Sequence, residues 1–386
     1  MRIGIDIRLI GKKRTGDEAV FFNLVKNLAE IKSNNQYFLF TDRDPKKNNE
    51  LKAEIEKLDL KKNFEIIFLN SPNRFWWNLW ALPNYLRKNP VDVFHTQYIA
   101  PFWLPKNMKL VLTIHDISFN FFPQFIKKSD LFFLKTLIPR SLKMAARIIA
   151  VSDFTKKEIE KYYHIPNKKV AAIHNGVDFE LFNKNIAHEK LEEAKKKYSL
   201  PENFLLYIGT LQPRKNIPVL AEALDILREK YNLRDIRLVI AGNREAHNFD
   251  PRIDEAIKKY SLQKSVIFPG WIDEEDKPAL YKLAQCFVFP SLYEGFGIPI
   301  IEAMSAGTPI VSSDKSCLPE VGGDGAVYAN PNNPEEFAQK IHEILSDENL
   351  RENLIKKGKE TAKGYTWQKN TQETFRVYEN LCIANQ

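Results

Sequence analysis

Short apolar runs alternate with longer amphipathic stretches from end to end of the 386-residue chain. In the first half, RIGIDIRL, YFLFT, FEIIFLN, VDVFHT, KLVLTIHD, RIIAVS and VAAIHN read as strands. Each is a compact apolar run flanked by turn residues. Between them AVFFNLVKNLAEI sets Val20, Leu24, Asn27 and Leu28 on one 3.6-residue face, which predicts a helix. In the second half, NFLLYIGT, IRLVIAGN, SVIFPG, CFVFPS and PIVSSD alternate with helical segments in the same way. Continuous apolar strands separated by helices call for a parallel sheet covered on both faces, hence an α/β class.

The alternation breaks at 180–202, where HEKLEEAKKKYSLPEN reads as a linker or peripheral helix. Two doubly wound, Rossmann-like domains are therefore expected, over 1–185 and 200–365. The final pattern, 366–386, spaces Trp367, Thr371, Phe375 and Tyr378 along one helix that crosses back to the first domain. Two such domains facing each other leave a central cleft at the carboxyl ends of their strands, where this architecture binds ligands.

Composition narrows the class without changing the fold. The chain is 44% hydrophobic and 27% charged, with no apolar run long enough to span a bilayer. The opening MRIGIDIRLIG is too polar for a signal peptide and reads directly as a strand. Three scattered cysteines, Cys286, Cys317 and Cys382, point to a reducing compartment rather than a disulfide framework or a zinc site. A cytoplasmic location is expected. The formal charge of +8 favours anionic partners such as nucleic acid, acidic lipid headgroups or phosphorylated small molecules. With no zinc finger, RNA-recognition signature or long basic arm, nucleic acid is not expected. Lysine runs such as EEAKKKY serve mainly to solvate helix faces.

The candidate chemistry concentrates in SLYEGFGIPIIEAMSAGTPIVSSD, residues 291–314. A loop carrying Gly295, Phe296 and Gly297 leaves a buried strand and opens a helix at Ile298, with Pro299 in its first turn and Gly307 closing it. A helix N-terminus with glycines ahead of it is suited to phosphate. Glu294 before the turn and Glu302 inside the helix are like-charged to phosphate, and so suit the hydroxyls of neighbouring sugars instead. In YIGTLQPRKN, a strand, a glycine and a helix start bring Arg214 and Lys215 to the sheet's carboxyl edge. There, fixed cations would stabilise charge on a departing diphosphate.

These motifs, with VIAGN at 239–243, FPGW at 268–271, VSDFTKKEI at 151–159 and HNGVD at 174–178, resemble the retaining GT-B glycosyltransferases of family 4, glycosyl transferases group 1. The resemblance covers essentially the whole chain and is nearest to a mannosyltransferase-like bacterial branch. It implies that Glu294 contacts the transferred sugar and Glu302 the nucleotide ribose. It also implies that Lys215 neutralises the diphosphate, and that His115, in VLTIHDISF, lines the acceptor side and contacts the transferred sugar. Gly16, Thr210, Gly242, Trp271 and the Gly295–Ile298 loop would line the donor. Where the family commonly has an arginine after the glycine, this chain has Thr210; Arg214 is the candidate replacement. The implied reaction moves a hexose, mannose favoured, from a GDP- or UDP-linked donor to a saccharide or lipid-linked acceptor with retention. It serves cell-surface polysaccharide or glycolipid synthesis, with no metal and no cofactor beyond the donor.

Other features stay open or are set aside. His95 also ends a strand, so both imidazoles are candidates for the cleft. Lys12, Lys13 and Arg14 either grip an anionic acceptor or are solvated. Asp42 and Asp44 form a DxD pair, but in a lysine-rich polar turn without the other features of that metal signature. In NRFWWNLWALPNYLRKNP the spacing 76, 79, 80, 83 predicts a core-facing helix. The alternative for some of its rings is stacking on acceptor sugars or peripheral association with the inner membrane. Competing functions are a nucleotide-sugar epimerase, a phosphorylase, or a non-enzymatic anion- or membrane-binding protein. None of these uses the paired glutamates.

Overall fold

All strand pairings are parallel, as the continuous apolar strands require. The computed structural model describes residues 1–12, 16–246 and 248–383. It divides into two units, one comprising Met1–Gly176 with Trp367–Gln386 and the other Val177–Thr366.

The first unit carries β1 (Arg2–Asp6), β2 (Gln36–Thr41), β3 (Phe64–Phe68), β4 (Val93–Gln97), β5 (Lys109–Ile114), β6 (Arg147–Ala150) and β7 (Val170–Ala172). Their order is β3-β2-β1-β4-β5-β6-β7. The second unit carries β8 (Phe204–Ile208), β9 (Arg237–Ala241), β10 (Val266–Gly270), β11 (Cys286–Phe289), β12 (Ile310–Ser313) and β13 (Val327–Ala329), ordered β10-β9-β8-β11-β12-β13. Both are doubly wound sheets. The order reverses between β1 and β4 in one and between β8 and β11 in the other, and loops diverging there open a crevice for a ligand. The cores are the apolar strands themselves: every residue of β8 and β11 is buried. β13, of three residues, was not anticipated.

The segment expected to link the domains belongs wholly to the second unit. Its helices Phe179–Asn183 and His188–Tyr198 are anchored there. The Phe182 ring lies 5.9 Å from that of Tyr281, and the Tyr198 hydroxyl donates to Asp276 at 2.8 Å. The break in the apolar pattern therefore marks a surface helix, with the division at Gly176.

The terminal helix Trp367–Ile383 joins the first unit. Asn370 Nδ2 donates to the carbonyl of His174 at 2.8 Å. The Tyr378 hydroxyl shares a hydrogen bond of 2.5 Å with His95 Nδ1, while His95 Nε2 shares one of 2.7 Å with Thr113 Oγ1. His95 is thus a core residue fastening the terminal helix, correcting its candidacy for the cleft. Burial, reinforced by His115, pushes its pKa down to about 3.

The aromatic segment also departs from expectation. Trp77 is fully buried with Leu82 and Leu86, whereas Trp76 and Trp80 are exposed. A π-helical turn over Trp77–Ala81 inserts one residue into the register, so the inward step runs from Trp77 to Leu82, and of the expected 76, 79, 80 and 83 only Pro83 is buried.

His95 gives the fold a pH dependence of known sign. Its folded pKa lies below the ordinary 6.5, so the unfolded chain takes up the proton first. Its contribution is complete above pH 6.5 and falls as pH drops below it, by about 1.4 kcal/mol per unit. Urea denaturation between pH 7 and 5 should show this slope, and His95→Gln should flatten it. An equal slope in both proteins would refute the assignment.

Candidate active site

In the second unit two loops leave the point where the strand order reverses, one after β8 and one after β11. They are tied together by one backbone bond and one from a side chain. The Leu292 amide donates to the Arg214 carbonyl at 2.9 Å, and Arg214 Nη1 donates to the Tyr293 carbonyl at 2.7 Å. Arg214 and Lys215 lie in a short 3-10 turn, Pro213–Lys215, closed by Asn216 in the left-handed region.

Glu294 sits between the two cations. Arg214 Nη1 is 3.0 Å from its Oε2, and Lys215 Nζ pairs with its Oε1. Lys215 also lies over the Phe289 ring, 5.5 Å from the centroid. Burial works to push the Glu294 carboxyl up, but Lys215 and Arg214 outweigh it and hold the group at about 2. Its backbone is fixed as well, the amide donating to Ser316 Oγ at 3.0 Å. The cluster carries two positive charges against one negative, so it retains attraction for an anion.

The turn that follows enters the helix Ile298–Ala306 through Gly297, whose φ is +97°. A Cβ there would also meet Leu318 at 3.0 Å. Pro299 has no amide hydrogen, and the Ile300 amide is bonded to the Gly297 carbonyl at 2.9 Å. Among the described residues no hydrogen bond engages the amides of Gly297 and Ile298, which leaves them to an incoming anion. The Phe296 side chain is not presented to a ligand. It is buried 5.5 Å from the Tyr365 ring, so only its backbone is at the turn. The buried Cys317 thiol donates beneath the loop to the carbonyls of Glu294 and Phe296, each at 3.2 Å.

Glu302 lies just over one turn inside the same helix. The Tyr281 hydroxyl donates to its Oε2 at 2.8 Å, and Lys277 Nζ is 3.8 Å from its Oε1. Burial raises its carboxyl above the ordinary value, with Lys277 acting in the opposite sense. Lys277 and Tyr281 were not singled out from sequence, although their i, i+4 spacing on one helix face was the available signal.

The remaining donor-side candidates line the carboxyl ends of β8, β9 and β10. The Gly209 amide donates to the Ala241 carbonyl at 3.0 Å, and the Gly242 amide to that of Gly270 at 2.9 Å. A Cβ on Gly242 would come within 2.3 Å of the Gly209 carbonyl, so this close approach requires glycine. The Thr210 carbonyl accepts from the Tyr207 hydroxyl at 2.9 Å. Trp271 is exposed beyond the edge strand β10, with no hydrogen bond or ring contact tying it to Glu294.

Two candidates belong to the first unit. His115, buried at the end of β5, shares a hydrogen bond of 2.7 Å with Gln97 Oε1, and its Nδ1 is 3.7 Å from Asp17 Oδ1. Asp17 follows Gly16, the first residue of the helix Gly16–Glu30, so strand end and loop come together. Glu18 accepts from the Gly11 amide at 2.6 Å and closes that loop. Lys12 is half-buried there; Lys13 and Arg14 lie outside the described residues. Asp44 accepts from the Lys46 amide at 2.9 Å, as a turn residue does.

Two family descriptions match this chain, Glycosyltransferase Family 4 over residues 15–181 and Glycosyl transferases group 1 over 188–361. It is 32% identical to O-antigen chain mannosyltransferase B of Escherichia coli, over 80% of this chain and 78% of that one. It is 30% identical to the serotype-specific mannosyltransferase WbdA of Escherichia coli over 63% of this chain, spanning 30% of WbdA. Among solved structures it resembles HepE of Anabaena, crystallised with UDP-glucose, at a TM-score of 0.75 and 17% identity, over 98% of this chain and 100% of HepE. The chain belongs to glycosyltransferase family 4 and has the two Rossmann-like units of the GT-B fold. It is a glycosyltransferase.

Of the two turn glycines, only Gly297 has positive φ. Gly297→Ala should cost about 1–3 kcal/mol in chemical denaturation, and Gly295→Ala clearly less. Equal losses would mean that φ at 297 is not what constrains the turn.

Proposed function

We propose that the chain is a retaining hexosyltransferase that passes mannose from GDP-mannose to a saccharide or lipid-linked glycan in cell-surface polysaccharide synthesis. One observation carries the reading: Glu294 held between Arg214 and Lys215, beside the amides ahead of Ile298, where the strand order reverses. The names of the relatives support mannose, and the UDP-glucose in the HepE structure supports a nucleoside diphosphate donor.

The diphosphate takes Arg214, Lys215 and the Gly297 and Ile298 amides. Glu294, relieved of its cations, accepts hydrogen bonds from the hexose hydroxyls, and Glu302 from those of the ribose. Gly242, Thr210 and Trp271 border the donor; Gly16 belongs to a loop that approaches donor and acceptor, and His115 serves the acceptor side. The bond between the anomeric carbon and the phosphate oxygen breaks, and one to the acceptor oxygen forms on the same face. The acceptor's proton goes to the departing phosphate. Two fixed cations offset the growing charge, so the reaction needs neither metal nor resident cofactor.

Nucleotide release from a panel of GDP- and UDP-sugars, with glycan acceptor, tests this. GDP-mannose should be the turned-over donor, and Glu294→Gln should abolish transfer in a folded protein. Lys215→Ala should lower kcat by ~10²–10³-fold with a smaller effect on nucleoside binding. Turnover of UDP-glucose in place of GDP-mannose would overturn the donor, and turnover of none would overturn the reading.

A further inference from the structure

The loop after β12 lies beneath the turn that opens the helix Ile298–Ala306. β11 and β12 are parallel neighbours, with Phe289 opposite Ser312, so the loops leaving their carboxyl ends run side by side. Three consecutive residues of the second loop touch the first. Ser316 Oγ accepts from the Glu294 amide at 3.0 Å. The Cys317 thiol donates to the carbonyls of Glu294 and Phe296, each at 3.2 Å. A Leu318 methyl fills the space beside Gly297. Ser316 itself holds a positive φ of 57°, a sparsely populated region for serine that surrounding contacts must maintain.

The effect of these contacts follows from the planarity of the peptide. The peptide bonds here are trans, so each carbonyl points opposite to the amide hydrogen of the next residue. Holding the Phe296 carbonyl on the fully buried thiol therefore aims the Gly297 amide away from that thiol. Among the described residues no hydrogen bond engages this amide. A glycine turn has no Cβ to restrict it and would not keep one orientation unaided. The thiol is a lasting donor. Burial, reinforced by the charges of Glu294 and Glu320, pushes its pKa well above the ordinary value, and the proton stays on sulfur.

We propose that Ser316 and Cys317 are positioning residues for the diphosphate, fixing the peptides of the turn so that the Gly297 amide is presented to the phosphate oxygens. Both act through the backbone of the turn, Ser316 on the Glu294 amide and Cys317 on the two carbonyls that follow. The proposal rests on the reading that a nucleoside diphosphate occupies this turn, and it names the part of the chain that orients the receiving amide. It separates two halves of donor recognition. Binding of the diphosphate depends on the loop after β12, and binding of base and ribose does not.

The test is calorimetric titration of the full chain with GDP and UDP, the tighter of the two then being compared with its nucleoside. Cys317→Ala should weaken the diphosphate by about tenfold or more, as the loss of one hydrogen bond to a charged group does, and leave the nucleoside unchanged. Ser316→Ala should act in the same direction, and Cys317→Ser, which restores a donor, should recover most of the loss. Infrared difference spectra of the wild type against Cys317→Ser isolate the Cys317 S–H stretch from those of Cys286 and Cys382. That band should move to lower frequency with the diphosphate and stay still with the nucleoside. An anion on the Gly297 amide polarises the shared peptide and strengthens the Phe296 carbonyl as an acceptor. A band that ignores the diphosphate overturns the proposal, even where Cys317→Ala fails to fold. So does a Cys317→Ala chain that loses diphosphate and nucleoside equally, or loses neither. In those cases the wild type still binds a nucleoside diphosphate and the reading of the site stands; a wild type that binds neither GDP nor UDP overturns both.

Discussion

The donor half of this protein depends on a buried carboxylate kept ionised. Taking Glu294 out of water disfavours its charge, and only the contacts with Lys215 and Arg214 reverse that. Both partners come from the loop after β8 and Glu294 from the loop after β11, so the electrostatic demand of one side chain fixes the two loops against each other. The backbone bond from Leu292 to Arg214, and the bond from the Arg214 guanidinium to the Tyr293 carbonyl, follow the same seam. In the structure the carboxylate is the counter-ion for two cations that would otherwise lie together, unneutralised, in a low-dielectric crevice. On the proposed reading, a diphosphate would offer those cations stronger partners, and the exchange would leave a carboxylate free to accept hydroxyl hydrogen bonds.

The two glutamates that bracket the turn are alike in sequence and unlike in physics. Glu294 is held well below the ordinary carboxyl value by two contacting cations, while Glu302 is raised because burial outweighs a single lysine at 3.8 Å. A neutral donor, the Tyr281 hydroxyl, satisfies one Glu302 oxygen without adding charge. Two carboxyls pushed in opposite directions by their surroundings are suited to separate tasks.

Much of this was legible in the chain. Continuous apolar strands gave parallel sheets, and glycine followed by proline after a strand gave the phosphate-type helix start. Strand-to-helix loops put Arg214, Lys215 and Glu294 at carboxyl edges of the second sheet, but the ion pairs among them were not read from the sequence. The failures share a physical origin, in that tertiary packing decides what local pattern leaves open. A strand-end histidine looks the same whether it faces a crevice or, like His95, a tyrosine from a helix nearly three hundred residues away. The ring of Phe296 sits in a loop of ligand-facing residues but turns to the core against Tyr365. The aromatic segment misled because a 3.6-residue template cannot register a π turn, which moved Trp77 inward and Trp80 outward. Charged, amphipathic 188–198 reads equally as linker or peripheral helix, and the bond from Tyr198 to Asp276 is what makes it the helix.

The overall charge misled more subtly. A net +8 suggests a protein built to attract an anionic substrate, yet the cluster around Glu294 carries a single surplus charge. The excess lies instead on two segments of the first unit, among exposed rings. Short-range recognition of a diphosphate needs two well-placed cations and a pair of amides, because in a crevice each acts at contact distance and is little screened. A broad excess acts differently, summing over many solvated side chains to draw the molecule toward an extended surface. Charge in this chain is thus divided by range, with positioned cations in contact with Glu294 in one unit and a diffuse excess over solvated side chains in the other.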